Sequence, residues 1–242
     1  MAVYQIYLVK LGNNIGLSDE QQTQVKNKIE VLYNRVIHDD PVQGYISCNV
    51  NWSTSCQNVQ PRELLVYILR NDLVSVVTAY VNSVVDAAHR MRYERNRTGL
   101  TAWAGGKTVS EVYVHGCNRN LDLIAKTVFH ESMHYKTHWN DHQLHSRGGL
   151  AARRISADTE LTRRNIRDMK IRLTHARTPM LNGCQIYQDN SLDGFGSLDR
   201  GSSHRYAANQ SGPIRGGSAV LHGEVHGGVH QQRVMGFDSD LA

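Results

Sequence analysis

The chain has 242 residues, of which 40% are hydrophobic and 20% charged, with 27 Lys and Arg against 22 Asp and Glu for a formal charge of +5. That is the composition of an ordinary globular domain, with a small appendage at most. No apolar run reaches the roughly 20 residues of a membrane helix, and the charge is too modest to argue for nucleic acid by itself. The unusual number is 13 His, five of them between His130 and His145.

Residues 1–10 are short and alternating, without the basic leader or long apolar segment of a secretory signal, and read as a first strand. The chain is therefore expected to be cytoplasmic as synthesised, with a signal-independent route if it is exported. Ser18, followed by Asp19 and Glu20, predicts a capped helix running to about His38, with Val25, Ile29, Leu32, Tyr33 and Val36 on one face and Asp39, Asp40 and Pro41 as its stop. Strands are predicted over 45–52 and 64–69, and a helix over 73–92 despite its β-branched content. Cys48, Cys56, Cys117 and Cys184 form no C-x-x-C pair and read as reduced thiols rather than a zinc ribbon.

From Gly99 the pattern becomes specific. Residues 99–106 run through a Gly-Gly turn into an alternating strand at 108–114. Asn118 to Asn120 then offer caps for a helix beginning near Leu121, whose buried face is Leu121, Ile124, Ala125 and Val128. Gly148 and Gly149 break the chain. Another helix is predicted over 159–173, and a turn at 178–183. Residues 194–242 hold ten Gly and four His, so the expected organisation is a domain over 1–190 and a Gly/Ser/His-rich extension over 191–242.

His130, Glu131 and His134 form H-E-x-x-H. On a helix, residues four apart project within about 40° of each other and about 6 Å along the axis, so two imidazoles can converge on one Zn²⁺. Glu131 lies about 100° round from His130, where its carboxylate can take a proton from a zinc-acidified water as that water attacks a carbonyl.

With the segments 99–106 and 109–114 before it, this motif resembles the zincin metallopeptidases, metzincin-like and closest to an archaemetzincin. The resemblance implies an α+β fold in which a mixed sheet packs on helices, one of them carrying the motif. It also implies zinc as cofactor and an edge strand at 109–114 that binds substrate backbone by strand addition. The metzincin pattern places Gly three residues after the second His and a third His three further on. Thr137 and Asn140 stand there instead, so the third ligand does not carry over. A methionine beneath the metal is also typical of the family; Met180 is the candidate, Met169 a weaker one.

The third ligand has to come from elsewhere. His138 lies about 12 Å along a straight helix from His130, too far to share an ion. A chain that turns back at Asn140 and Asp141 can return Asp141, His142 or His145. His145 is favoured, because Leu144 can anchor the loop and the following glycines permit a sharp return. Glu160 is the carboxylate option from the next helix. Tyr135, Tyr187, Tyr206, His175 and several Arg are unranked candidates for stabilising an oxyanion.

Other features read more plainly. Eight Arg and one Lys fall within 147–177 and suit solvated helix faces, since no nucleic-acid motif accompanies them. His222, His226 and His230 recur at four among glycines that disfavour a helix. The expected function is a zinc metalloendopeptidase acting on a peptide or protein, with Glu131 as base and His130, His134 and His145 on the metal. Neither nucleic acid nor membrane is an expected partner. The alternative is a zincin-fold assembly component, or effector cargo of a phage-like contractile injection particle, with zinc structural or absent. The 191–242 extension motivates it as a route into a larger assembly.

Overall fold

In the computed structural model, which describes residues 2–12, 14–39, 44–55, 59–75, 78, 96–104, 106–179 and 181, the N-terminal alternation becomes strand β1 (Ala2–Lys10). Helix α1 (Asp19–His38) follows. The Ser18 side chain accepts the Gln21 amide and the Gln21 side chain accepts the Ser18 amide, a reciprocal cap with Asp19 and Glu20 in the first turn. As a crossover, α1 allows β2 (Tyr45–Ser53) to lie parallel to β1, and β3 (Leu64–Leu69) joins β1 on its other side, also parallel. All six residues of β3 are buried, as expected of a parallel strand covered on both faces.

A hairpin follows, made of β4 (Gly99–Ala104) and β5 (Lys107–Tyr113). The sheet order is β2-β1-β3-β5-β4, parallel apart from β4. The two-residue strand β6 (Thr178–Pro179) adds to β5 at Lys107 and Thr108, so part of the turn predicted at 178–183 is extended. This is a mixed sheet with helices, the coarse α+β architecture expected.

One expectation is corrected. Strand 109–114 does not lie at the edge: β5 bonds to β3 and β6 on one side and to β4 along the other. Residues 108–113 are all buried. The alternation of polar and apolar residues separates two covered faces, not a covered face from water. Among the described residues the edge strand on this side is β4.

Helix α2 (Leu121–Thr137) starts at Asn120, whose side chain accepts the Leu123 amide, and packs with α1 on one face of the sheet. Ile6, Leu8, Val66, Ile68, Val25, Ile29, Tyr33, Ile124, Val128 and Phe129 share that core, and Tyr33 lies 5.2 Å from Phe129 between ring centroids. Each such side chain contributes about 1.5–3 kcal/mol on burial. Then come the short α3 (Asp141–His145) and α4 (Arg163–Arg172). The predicted helix over 159–173 begins later because Thr162 caps it, its hydroxyl accepting the Asn165 amide.

Cys48 and Cys117 are both buried, and the Cys117 thiol donates to the Thr98 carbonyl at 3.8 Å. Among the described residues no helix is long and apolar enough to cross a membrane. Most of the predicted 73–92 helix, Cys56, Cys184, Met180, Tyr187, Tyr206, the 190/191 boundary and the extension with His222, His226 and His230 lie outside the described residues.

Candidate metal centre

Helix α2 presents His130 and His134 one turn apart, both buried. It ends directly afterwards. His138 takes the left-handed conformation at φ 54°, and its amide closes on the His134 carbonyl. The His138 ring leaves the ligand row, stacks on Trp103 of β4 at 5.0 Å between centroids, and places Nε2 2.9 Å from Thr108 Oγ1. Burial, with Arg177 adding to it, pushes the His138 imidazole down to about 4.

The chain then folds back. Thr137 Oγ1 accepts the Trp139 amide, and Asn140 and Gln143 cap α3 reciprocally. Leu144 is fully buried and anchors the turn, as anticipated. His145 is thereby returned to the other two imidazoles. Ring centroids lie 5.1 Å apart for His130 and His134, 5.5 Å for His130 and His145, and 5.3 Å for His134 and His145. Among the described residues these three form the group able to hold a metal ion, with ligand atoms all within 4.8 Å of one another. Three nitrogens on a tetrahedral zinc ion sit about 3.4 Å apart, so modest side-chain closure completes the set.

Two backbone carbonyls orient the helical pair. His130 Nδ1 donates to the Leu150 carbonyl at 2.7 Å, and His134 Nδ1 to the Trp139 carbonyl at 3.3 Å. A nitrogen that donates to a carbonyl carries the proton, which leaves Nε2 of a neutral ring with the lone pair a metal requires. Two guanidiniums lie over the Trp139 ring, Arg147 at 4.4 Å and Arg172 at 5.4 Å from its centroid. Arg147 also pairs with Asp168 of α4 at 3.5 Å.

Glu131 is fully buried and turns toward β4. Thr101 Oγ1 donates to its Oε2 at 2.7 Å, and the Ser110 hydroxyl lies 2.7 Å from Thr101 Oγ1. Gly99 makes room for the carboxylate: a Cβ there would sit 2.3 Å from Glu131 Oε1. Gly99→Ala is accordingly expected to lower stability by about 1–3 kcal/mol through overpacking. The cost should largely vanish in a Glu131→Ala background, measured as a double-mutant cycle of urea midpoints.

The remaining candidates fall elsewhere. His142 and Glu160 are exposed, and Asp141 opens α3; none belongs to the three-residue group. Tyr135 is fully buried in the core, and that burial pushes its phenol up. His175 offers its carbonyl to Lys136 Nζ. Met169 is a core residue. Arg163, Arg164 and Arg167 are exposed on α4. Nothing in the sequence pattern singles out Gly99, Thr101 or Ser110 as site residues; Gly99 opens β4, and its role shows only in the close approach of Glu131.

Compared with family models, curated proteins and solved structures, the chain returns no match. The functional reading therefore rests on the site itself.

Proposed function

We propose that the chain is a zinc-dependent metalloendopeptidase on a zincin-like fold. The observation that carries this is the convergence of His130, His134 and His145, with Glu131 set between the ligand helix and an edge strand. Three imidazoles suit zinc among the divalent metals, and three protein ligands leave a coordination position open for chemistry. Bound there, zinc supplies Lewis acidity toward a carbonyl oxygen and toward water.

The chain's own groups do the rest. Leu150 and Trp139 carbonyls fix which nitrogen of His130 and His134 faces inward. The Glu131 carboxylate, held by Thr101 through Oε2, serves in this reading as the base that takes a water proton and later returns it to the leaving amine. The outer side of β4, opposite β5, offers the backbone groups that a peptide substrate pairs with by strand addition, the part first expected of 109–114.

The test is to strip the protein with a chelator, titrate it with zinc salts, and assay it against a mixed peptide library. One zinc per chain and zinc-dependent cleavage are expected. No uptake overturns the metal centre. Uptake without cleavage overturns the peptidase reading and favours a structural zinc in an assembly component.

A further inference from the structure

The carbonyl that orients His130 belongs to Leu150, in a turn whose own backbone bonds, from the Ala151 and Ala152 amides to the Gly148 and Gly149 carbonyls, do not involve the Leu150 amide or carbonyl. Gly148 and Gly149 both have positive φ, at 69° and 59°, and residues 149–151 make a single 3-10 turn. Nothing about such a turn fixes a carbonyl to the tolerance a metal ligand needs.

Asn165 of α4 grips this stretch from the far side. It is fully buried. Its Nδ2 donates to the Gly148 carbonyl at 2.9 Å, and its Oδ1 accepts the Leu150 amide at 2.8 Å. An amide side chain is suited to the task because it donates and accepts on one small plane. The fit around Gly149 is tight: a Cβ there would lie 2.4 Å from Asn165 Oδ1, 2.5 Å from Thr162 Cγ2 and 3.0 Å from the Glu160 carbonyl. Leu150 thus has its amide on Asn165 and its carbonyl on His130 Nδ1.

We infer that Asn165 is a positioning residue for the metal centre. It sets the ring plane and tautomer of His130 through the backbone of residues 148–150. This rests on the reading of His130, His134 and His145 as metal ligands. Helix α4, which carries none of the ligands, then tunes the centre through one amide.

Asn165 also takes part in the α4 cap, where its Oδ1 accepts the Thr162 amide at 3.2 Å and its own amide donates to Thr162 Oγ1. The two roles separate by substitution. Thr162→Val keeps the Cγ2 that packs by Gly149, removes the capping hydroxyl, and so weakens the cap and leaves the grip. Asn165→Asp keeps an acceptor for the Leu150 and Thr162 amides but sets an oxygen against the Gly148 carbonyl. Asn165→Leu removes both, and Asn165→Ser, a smaller change, keeps the comparison open where the larger ones unfold.

The experiment measures cobalt(II) and zinc affinity by chelator competition, the visible absorption of the cobalt(II) form, and the melting temperature of the metal-free chain. Asn165→Asp, Asn165→Leu and Asn165→Ser are expected to bind metal about 10–100-fold more weakly and to shift the cobalt band. Thr162→Val is expected to lower the melting temperature while keeping wild-type affinity and spectrum. Folded Asn165 variants with unchanged affinity and spectrum overturn the role of Asn165, and so does Thr162→Val weakening metal binding in step with its lost stability. Failure of the unaltered chain to take up metal overturns the underlying centre instead.

Discussion

Glu131→Gln is expected to leave one zinc per chain and to lower kcat about 10²–10⁴-fold, the usual worth of a positioned general base. The substitution is nearly isosteric, which matters in a site where the side chain is fully buried. A carboxamide oxygen can still accept from Thr101, whose hydroxyl lies 2.7 Å from Oε2 in the parent chain. Gly99 would still accommodate the end of the side chain, since its missing Cβ is what creates the space. What disappears is basicity, because an amide does not take up a proton near neutral pH. KM should change little, as Glu131 is not among the grouped ligands. Steady-state kinetics on zinc-loaded protein, with metal counted by elemental analysis, separate the two effects. Retained turnover would remove Glu131 from the chemistry.

Local signals were enough to read the elements that carry the site. The Ser18 cap, the period of α1 and the buried face of α2 are written in residues at most seven apart, and the helices run as those signals predict. The place of β5 could not be read that way. Thr108, Ser110 and Glu111 make it look half solvated, yet all are buried and bonded within the fold: Ser110 beside Thr101, Glu111 accepting from Ser75 and Tyr113. Strand order depends on partners far along the chain, and a polar residue satisfied internally has the same letter as one in water.

Lys136 shows the same limit. By sequence it is an ordinary helix lysine near a C-terminus. In the fold it is fully buried, with Nζ donating to the carbonyls of Arg62, Glu63 and His175. Burial, with Arg177 adding to it and Glu63 opposing, pushes its ammonium down to about 7. No periodicity could disclose partners 74 and 39 residues away. In the metal centre the division is similar. The pair on α2 follows from spacing alone. The groups that orient the pair are backbone carbonyls of Leu150 and Trp139, which leave no mark in a sequence.

The third ligand lies between these extremes and gives the sharpest mutational contrast. His145→Ala is expected to weaken zinc binding about 10²–10⁴-fold, the share of one ligand of three in a site of about 10–16 kcal/mol. His138→Ala should leave zinc affinity at the parent value, although His138 continues the spacing of His130 and His134 and His145 does not. The difference arises at one residue. Helix α2 closes at His138 with φ 54°, which sends that ring to Trp103 and Thr108, and the Asn140–Gln143 cap then restarts a helix short enough to bring His145 back. His138→Ala forfeits the stack on Trp103, so its expected signature is a changed tryptophan emission without a change in metal content. The reverse outcome, zinc lost with His138→Ala and kept with His145→Ala, would mean that the left-handed stop does not form and that the ligand row follows the helix instead of the turn.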